Sequence, residues 1–187
     1  GLLVCAPHIL LSPTFRAVHG AVRNGRIGEL LTARARYGWA GPWWGEWFYA
    51  PGGGSLFDLG VYNVTSLCAV FGPARRVTAM TGVAIPEREV DGRPIRVEAE
   101  DNAHVLLDFG DARFAVVTTG FTMQRYRSPA IEVYGSEGSV SHLSEELDSN
   151  YSNVFQDDGA PQRADAPELM SAKITTRQGK PRSSASC

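Results

Sequence analysis

No lysine occurs before Lys173 in this chain of 187 residues, and cysteine is almost as scarce. Cys5, Cys68 and Cys187 are scattered singly. Such an odd set excludes a disulfide framework and suits buried thiols in a reducing, cytoplasmic compartment. His8, His19, His104 and His142 add no ligand spacing, so no metal site is expected. Basic excess is missing too. A formal net charge of −2 and a pI of about 6.1 argue against nucleic-acid and membrane-surface partners. No apolar run approaches the ~20 residues that a membrane span needs, and the apolar starts at 2–4 and 9–11 are too short for a signal peptide. There is no internal repeat. There is also no P-loop, because no Lys-Ser/Thr pair follows the glycines at 52–54. No strand leads straight into those glycines, so they are not a dinucleotide fingerprint either.

What is present is a globular pattern followed by a polar end. Hydrophobic residues make up 43% and charged residues 20%, ordinary values for a folded domain. The pattern runs over 1–143. From about Ser144 the chain turns polar, and no acid follows Glu168. The segment 144–187 is therefore expected to be a disordered or truncated tail. The chain opens at Gly1 directly into LLVCAPH, read as a short buried strand or extended entry, as if cut from a longer protein.

Ser12-Pro13 signals a helix start, with Ser as N-cap and Pro at the first helical position. Phe15, Val18, Ala21 and Val22 recur at helical spacing, and Asn24-Gly25 ends the run. Leu31, Ala33, Ala35 and Tyr37 alternate as a strand. A Gly/Pro loop then holds all four tryptophans, Trp39, Trp43, Trp44 and Trp47. A helix is predicted over 55–71 and strands over 77–85, 103–109, 112–119, 130–134 and 139–143. Gly110-Asp111 suits a type II′ turn, and the charged run 86–101 reads as a protruding hairpin or loop around Asp91-Gly92. Strands linked by short turns predict an α+β fold, an open, mostly antiparallel sheet with helices packed on one face.

The stretch GGGSLFDLGVYNV at 52–64 carries the chemistry. Asp58 and Tyr62, four residues apart, are neighbours on one helix face. The other positions are nearly all apolar, so the helix is expected to be buried, and a buried carboxylate needs a partner or a cleft. Two readings of Asp58 stay open: a first-turn acid favoured by the helix dipole, or a group facing a cleft. Gly52, Gly53 and Gly54 form either a tight turn or a close approach for a ligand at an anion-friendly helix start. The tryptophans either wall a pocket or pack as core. His8, at the end of an apolar run, is either structural or a site residue.

GGGSLFDLGVYNV followed by LCAVFGPARRVTAM resembles the C-terminal domain of the Gfo/Idh/MocA oxidoreductases, the glucose–fructose oxidoreductase and inositol dehydrogenase family. EDNAHVLLDFGDARFAVVTTGF, IEVYGSEGSV and SPTFRAVHGAVRNGRIGEL resemble that family's Asp-Asn strand and hairpin, its Tyr-Gly-x-x-Gly turn and its linking helix. The resemblance covers roughly 1–143. It implies an NAD(P)-dependent oxidoreductase that transfers hydride between the nicotinamide and a secondary alcohol of a sugar or cyclitol-like substrate. The family's N-terminal Rossmann domain, which binds NAD or NADP, and its Glu-Lys-Pro lysine are absent here. The chain alone is therefore expected to be inactive and to bind no cofactor tightly. By resemblance Tyr62 and Asp58 are the catalytic candidates, and Tyr62 places the chain with the Tyr branch, similar to glucose–fructose oxidoreductase and dihydrodiol dehydrogenase. A phenol with a pKa near ~10 relays a proton only beside a cation, which the missing lysine would supply. His8, Trp47 and Gly54 are the substrate-binding candidates. Where the family often has Arg after the loop Trp, Phe48 follows Trp47, so a charged anchor is not carried over. The family's open sheet also implies a homo-oligomer. The other reading is a non-catalytic oligomerisation or sugar-binding module.

Overall fold

The computed structural model describes residues 1–3, 8–124, 126, 128–142 and 172–176. Its first helix, α1 (Pro13–Arg23), begins as the sequence signals. The Ser12 hydroxyl accepts from the Phe15 N–H at 3.1 Å, and Pro13 sits where no N–H is needed. Asn24 caps the other end, and Gly25 follows at φ 65°. The strands are β1 (Leu30–Gly38), β2 (Arg76–Gly82), β3 (Glu87–Val90), β4 (Arg93–Arg96), β5 (Asn102–Gly110), β6 (Arg113–Gly120), β7 (Ile131–Gly135), β8 (Gly138–His142) and β9 (Ala172–Thr176). Seven of them form one sheet in the order β2-β5-β6-β1-β7-β8-β9, while β3 and β4 pair as a separate hairpin. Every neighbouring pair is antiparallel except β1 and β6, which run parallel with Ala33 opposite Ala115 and Ala35 opposite Val117.

Alternation decides the two faces. Ala33, Ala35, Val105, Leu107, Ala115, Val117, Ile131 and Val133 turn inward under Phe15, Val18 and Ala21 of α1 and Leu67 and Phe71 of α2 (Val61–Phe71). The architecture is thus α+β, a mostly antiparallel sheet with both helices on one face. The opposite face carries His104, Leu106, Phe114 and Val116 and is open.

Several local expectations change. Leu2 and Leu3 are fully exposed, so the apolar opening is not a buried strand there; residues 4–7 lie outside the described set. The register of β1 on β7 shifts between Leu30 and Thr32. Leu30 packs on the core while Leu31 is exposed, so Leu31 leaves the inward series. The β5–β6 turn lies one residue later than Gly110-Asp111. Asp111 and Ala112 both have φ 57°, a type I′ pattern, and Gly110 sits in a register shift. β2 stops at Gly82 because the Ala84 and Ile85 N–H groups bond the Asp101 carboxylate at 2.7 and 3.1 Å, not a neighbouring strand. The charged run does form a hairpin, turning on Asp91 (φ 51°) and Gly92 (φ 72°). It is anchored, not free: Val90 and Val97 are buried against Phe48, Tyr49 and Phe121. Finally, Ala172–Thr176 pairs antiparallel with β8, so the expectation of disorder over 144–187 does not hold for those five residues. Residues 143–171 and 177–187 lie outside the described set. A strand edge offers unpaired main-chain groups, and a composition argument cannot see them.

Candidate functional site

The predicted helix over 55–71 has two parts. Leu56–Gly60 is a π-helical turn, and α2 continues from Val61. The Val61 N–H reaches the Leu56 carbonyl, five residues back. A π turn of this kind widens the helix locally and recurs at functional sites. Nor is the helix buried all round. Leu59, Asn63, Ser66 and Leu67 are buried, whereas Phe57 is 77% exposed.

Asp58 lies in the π turn and is half-buried. Among the described residues its carboxylate has no hydrogen-bond or ion-pair partner. Desolvation pushes its pKa up to about 6. Tyr62, one turn on, packs edge-on against two rings: Tyr37, with centroids 5.8 Å apart, and His8 at 6.3 Å. His8 is exposed and opens the short 3₁₀ turn Ile9–Leu11, which brings it to Tyr62 from the other side of the sequence. Trp39 and Trp44 pack on the same aromatic cluster as Tyr62.

The tryptophan loop is partly core and partly exposed. Trp39 and Trp44 are half-buried, with ring centroids 5.6 Å apart, while Trp43 and Trp47 are 50% and 63% exposed. The Trp47 ring stacks on Phe48 at 3.7 Å. This loop is bound directly to the glycines. The Gly54 N–H donates to the Phe48 carbonyl at 2.8 Å, and Gly53 lies so close to the Trp47 and Phe48 carbonyls that a Cβ has no room. Gly54, at φ 103°, faces the Glu100 carboxylate, which a Cβ there would strike. Glu100 Oε1 accepts from the Leu56 N–H at 2.7 Å, and its main-chain oxygen accepts from Ser55 at 3.1 Å. The anion-friendly start of the helix is therefore occupied by the chain's own carboxylate.

The structure thus joins His8 to Tyr62 and, through Phe48 rather than Trp47, the tryptophan loop to Gly54, with Asp58 on the π turn between Gly54 and Tyr62. Sequence reading missed Tyr37 and Glu100. Tyr37 was legible only as the last inward residue of the β1 alternation, not as a neighbour of Tyr62. Glu100 was not legible at all, because its contact with Leu56 spans 44 positions.

Residues 15–141 match the GFO/IDH/MocA C-terminal domain family. The chain belongs to this family. Solved structures similar to this GFO/IDH/MocA domain include an NAD-binding oxidoreductase from Klebsiella pneumoniae (TM-score 0.66, 23% identity, covering 75% of this chain and 39% of that one). Levoglucosan dehydrogenase in complex with NADH and L-sorbose has a TM-score of 0.62 at 22% identity, over 72% of this chain and 38% of that one. An oxidoreductase from Agrobacterium radiobacter in complex with NAD+, L-tartaric acid and magnesium has a TM-score of 0.55 at 20% identity, over 68% and 36%. At these identities the likeness is one of fold, and the chain spans less than half the length of each. Among curated proteins it resembles short stretches of the RNA polymerase sigma-54 factor. The match is 61% identical over 36 residues in Rhizobium etli, covering 19% of this chain and 7% of that protein. In Sinorhizobium fredii it is 40% identical over 93 residues, covering 42% and 18%. The chain spans less than a fifth of these relatives' length. Asp58, Tyr62, Trp47 and Gly54 all fall inside the family match; His8 precedes it.

Proposed function

We propose that this domain forms the substrate side of an NAD(P)-dependent oxidoreductase acting on a secondary alcohol of a sugar or cyclitol-like polyol. The observation that carries the reading is the pair Asp58 and Tyr62, set four residues apart on the π/α2 helix beside an aromatic loop, within a domain of this family. The ligands named for the structural neighbours, levoglucosan, L-sorbose and L-tartaric acid, are polyhydroxylated and support a polyol substrate class for this chain.

The described residues do not fit the phosphates of a dinucleotide. The glycine-rich helix start, which would otherwise invite an anion, already holds the Glu100 carboxylate. The cofactor, NAD or NADP, therefore belongs to another part of the enzyme and supplies the redox chemistry when bound. This chain's own residues act on the substrate. The Tyr62 phenol sits at the hydroxyl oxygen and moves its proton, given a neighbouring cation to make it acidic enough. The half-buried Asp58 accepts from a neighbouring substrate hydroxyl and fixes the ring's orientation. Aromatic faces of the loop, Trp47 among them, and His8 line the sugar. In the enzyme that carries this domain, Tyr62→Phe lowers kcat by about a hundredfold or more, while cofactor affinity holds. Unchanged turnover would sink the assignment.

A second reading has its own support. The open sheet face bears Met80, Leu106, Phe114 and Val116, with Met80 80% exposed. Such a face favours an oligomerisation module, in which this chain is a homo-oligomer with or without activity of its own. Light scattering on the purified chain distinguishes a monomer from a closed oligomer.

A further inference from the structure

We propose that Arg88, on the charged hairpin, is the positioning residue for the tryptophan loop. Its guanidinium touches that loop where it begins and where it ends. Nη1 donates to the Ala40 carbonyl at 2.6 Å, and the guanidinium carbon lies 5.2 Å from the centre of the Tyr49 ring. Nη2 donates to the Phe121 carbonyl at 2.7 Å, just past β6, and to Asp101 Oδ2 at 3.1 Å. Tyr49, held under the guanidinium, donates its hydroxyl to the Pro42 carbonyl at 2.8 Å inside the same loop. Gly41 packs so tightly between Arg88, Tyr49 and Phe121 that a Cβ would meet all three.

Asp101 is the anchor that fixes Arg88. Its carboxylate is fully buried and accepts from the Ala84 and Ile85 N–H groups as well as from Arg88. The hairpin adds a second grip at its turn, where the Asp91 N–H donates to the Trp43 carbonyl at 2.8 Å. The planar guanidinium spreads its donors over two nitrogens, serving two carbonyls and a carboxylate while facing a ring. A lysine ammonium has neither the fork nor the flat face. The charged run 86–101 thus works as a clasp that presses residues 39–49 into one conformation, and the loop in turn delivers Phe48 to Gly54 at the head of the π turn. Consequences for substrate binding rest on the oxidoreductase reading above. The positioning itself does not.

All four tryptophans lie in the clasped loop, so their emission reports it without any ligand. Removing Arg88 alone would strand a buried carboxylate. The test therefore uses Arg88→Met combined with Asp101→Asn, together with Arg88→Lys, in the chain of 187 residues. Far-UV circular dichroism and thermal melting are followed beside tryptophan emission and acrylamide quenching. In the paired variant the helical and strand signal stays, emission moves to longer wavelength and quenching rises. Arg88→Lys lies between it and the wild type. The proposal is overturned if the folded paired variant keeps wild-type emission and quenching. It is equally overturned if the tryptophan signal changes only in step with global melting. Because no ligand takes part, neither result bears on whether the domain serves an oxidoreductase.

Discussion

Asp58 is the residue whose behaviour can be checked most directly. Burial without a cationic partner raises its pKa from 3.8 to about 6. The native state therefore holds a proton that the unfolded chain gives up at lower pH. Between about pH 4 and 6 the folded form binds more protons, so stability contributed by the neutral acid is full below the lower value and is lost as pH rises through the upper one. Asp58→Asn keeps the shape and removes the charge. Its melting temperature should exceed that of the wild type at pH 7–8 and match it near pH 4. The gain is of the order of 1 kcal/mol or less, because water screens a half-buried group. A pH-independent difference in thermal melts would show that Asp58 is not the titrating group. Asp58 and Tyr62 were readable as a pair from their spacing. The desolvation of one and the ring contacts of the other were not, since Tyr37 and His8 come from distant positions.

Among the elements, the π turn and its supports carry the most specific expectations. Glu100 reaches across from the segment before β5 to accept the Leu56 N–H, replacing a local cap that Ser55 does not supply. Glu100→Ala should lower stability by about 1 kcal/mol in urea unfolding, the usual cost of a lost cap. Gly54→Ala places a methyl group at positive φ and against that same carboxylate, and should cost about 1–3 kcal/mol. Combined, the two changes should cost less than their sum, because removing the Glu100 carboxylate makes room for the methyl group while the backbone strain remains. Additive losses in the double-mutant cycle would argue against the contact. The glycines of 52–54 announced an unusual backbone in the sequence. The identity of what lies over them depended on a partner 46 residues away from Gly54, and no local pattern encodes that.

For the molecule as a whole, the outstanding question is what the open sheet face does. If it joins copies of the chain, Leu106→Lys should shift the sedimentation coefficient towards that of a monomer. Unfolding stability measured on the monomer should change by no more than about 0.5 kcal/mol, since Leu106 is exposed. A monomeric wild type, or an oligomer untouched by Leu106→Lys, rejects that face as the contact. Among the described residues no helix is long and apolar enough to cross a membrane. The chain's likeness to longer oxidoreductases is one of fold over less than half their length, so activity has to be assayed in a protein that carries the whole enzyme.

By itself the sequence determined the family, the Ser12-Pro13 helix start, the inward alternation of Ala33, Ala35 and Tyr37, the strand pair around residues 110–112, and the helix bearing Asp58 and Tyr62. The family rests on the resemblance of whole motifs, and the elements rest on local chemistry: caps, period-two patterns and turn residues. Only the tertiary structure decided the rest. It set β1 parallel to β6, added β9 to the sheet edge, widened the helix into a π turn, placed Glu100 over Gly54 and locked the tryptophan loop under Arg88. Each depends on groups tens of residues apart meeting in one place. A sequence states which groups are available, and packing decides which of them touch.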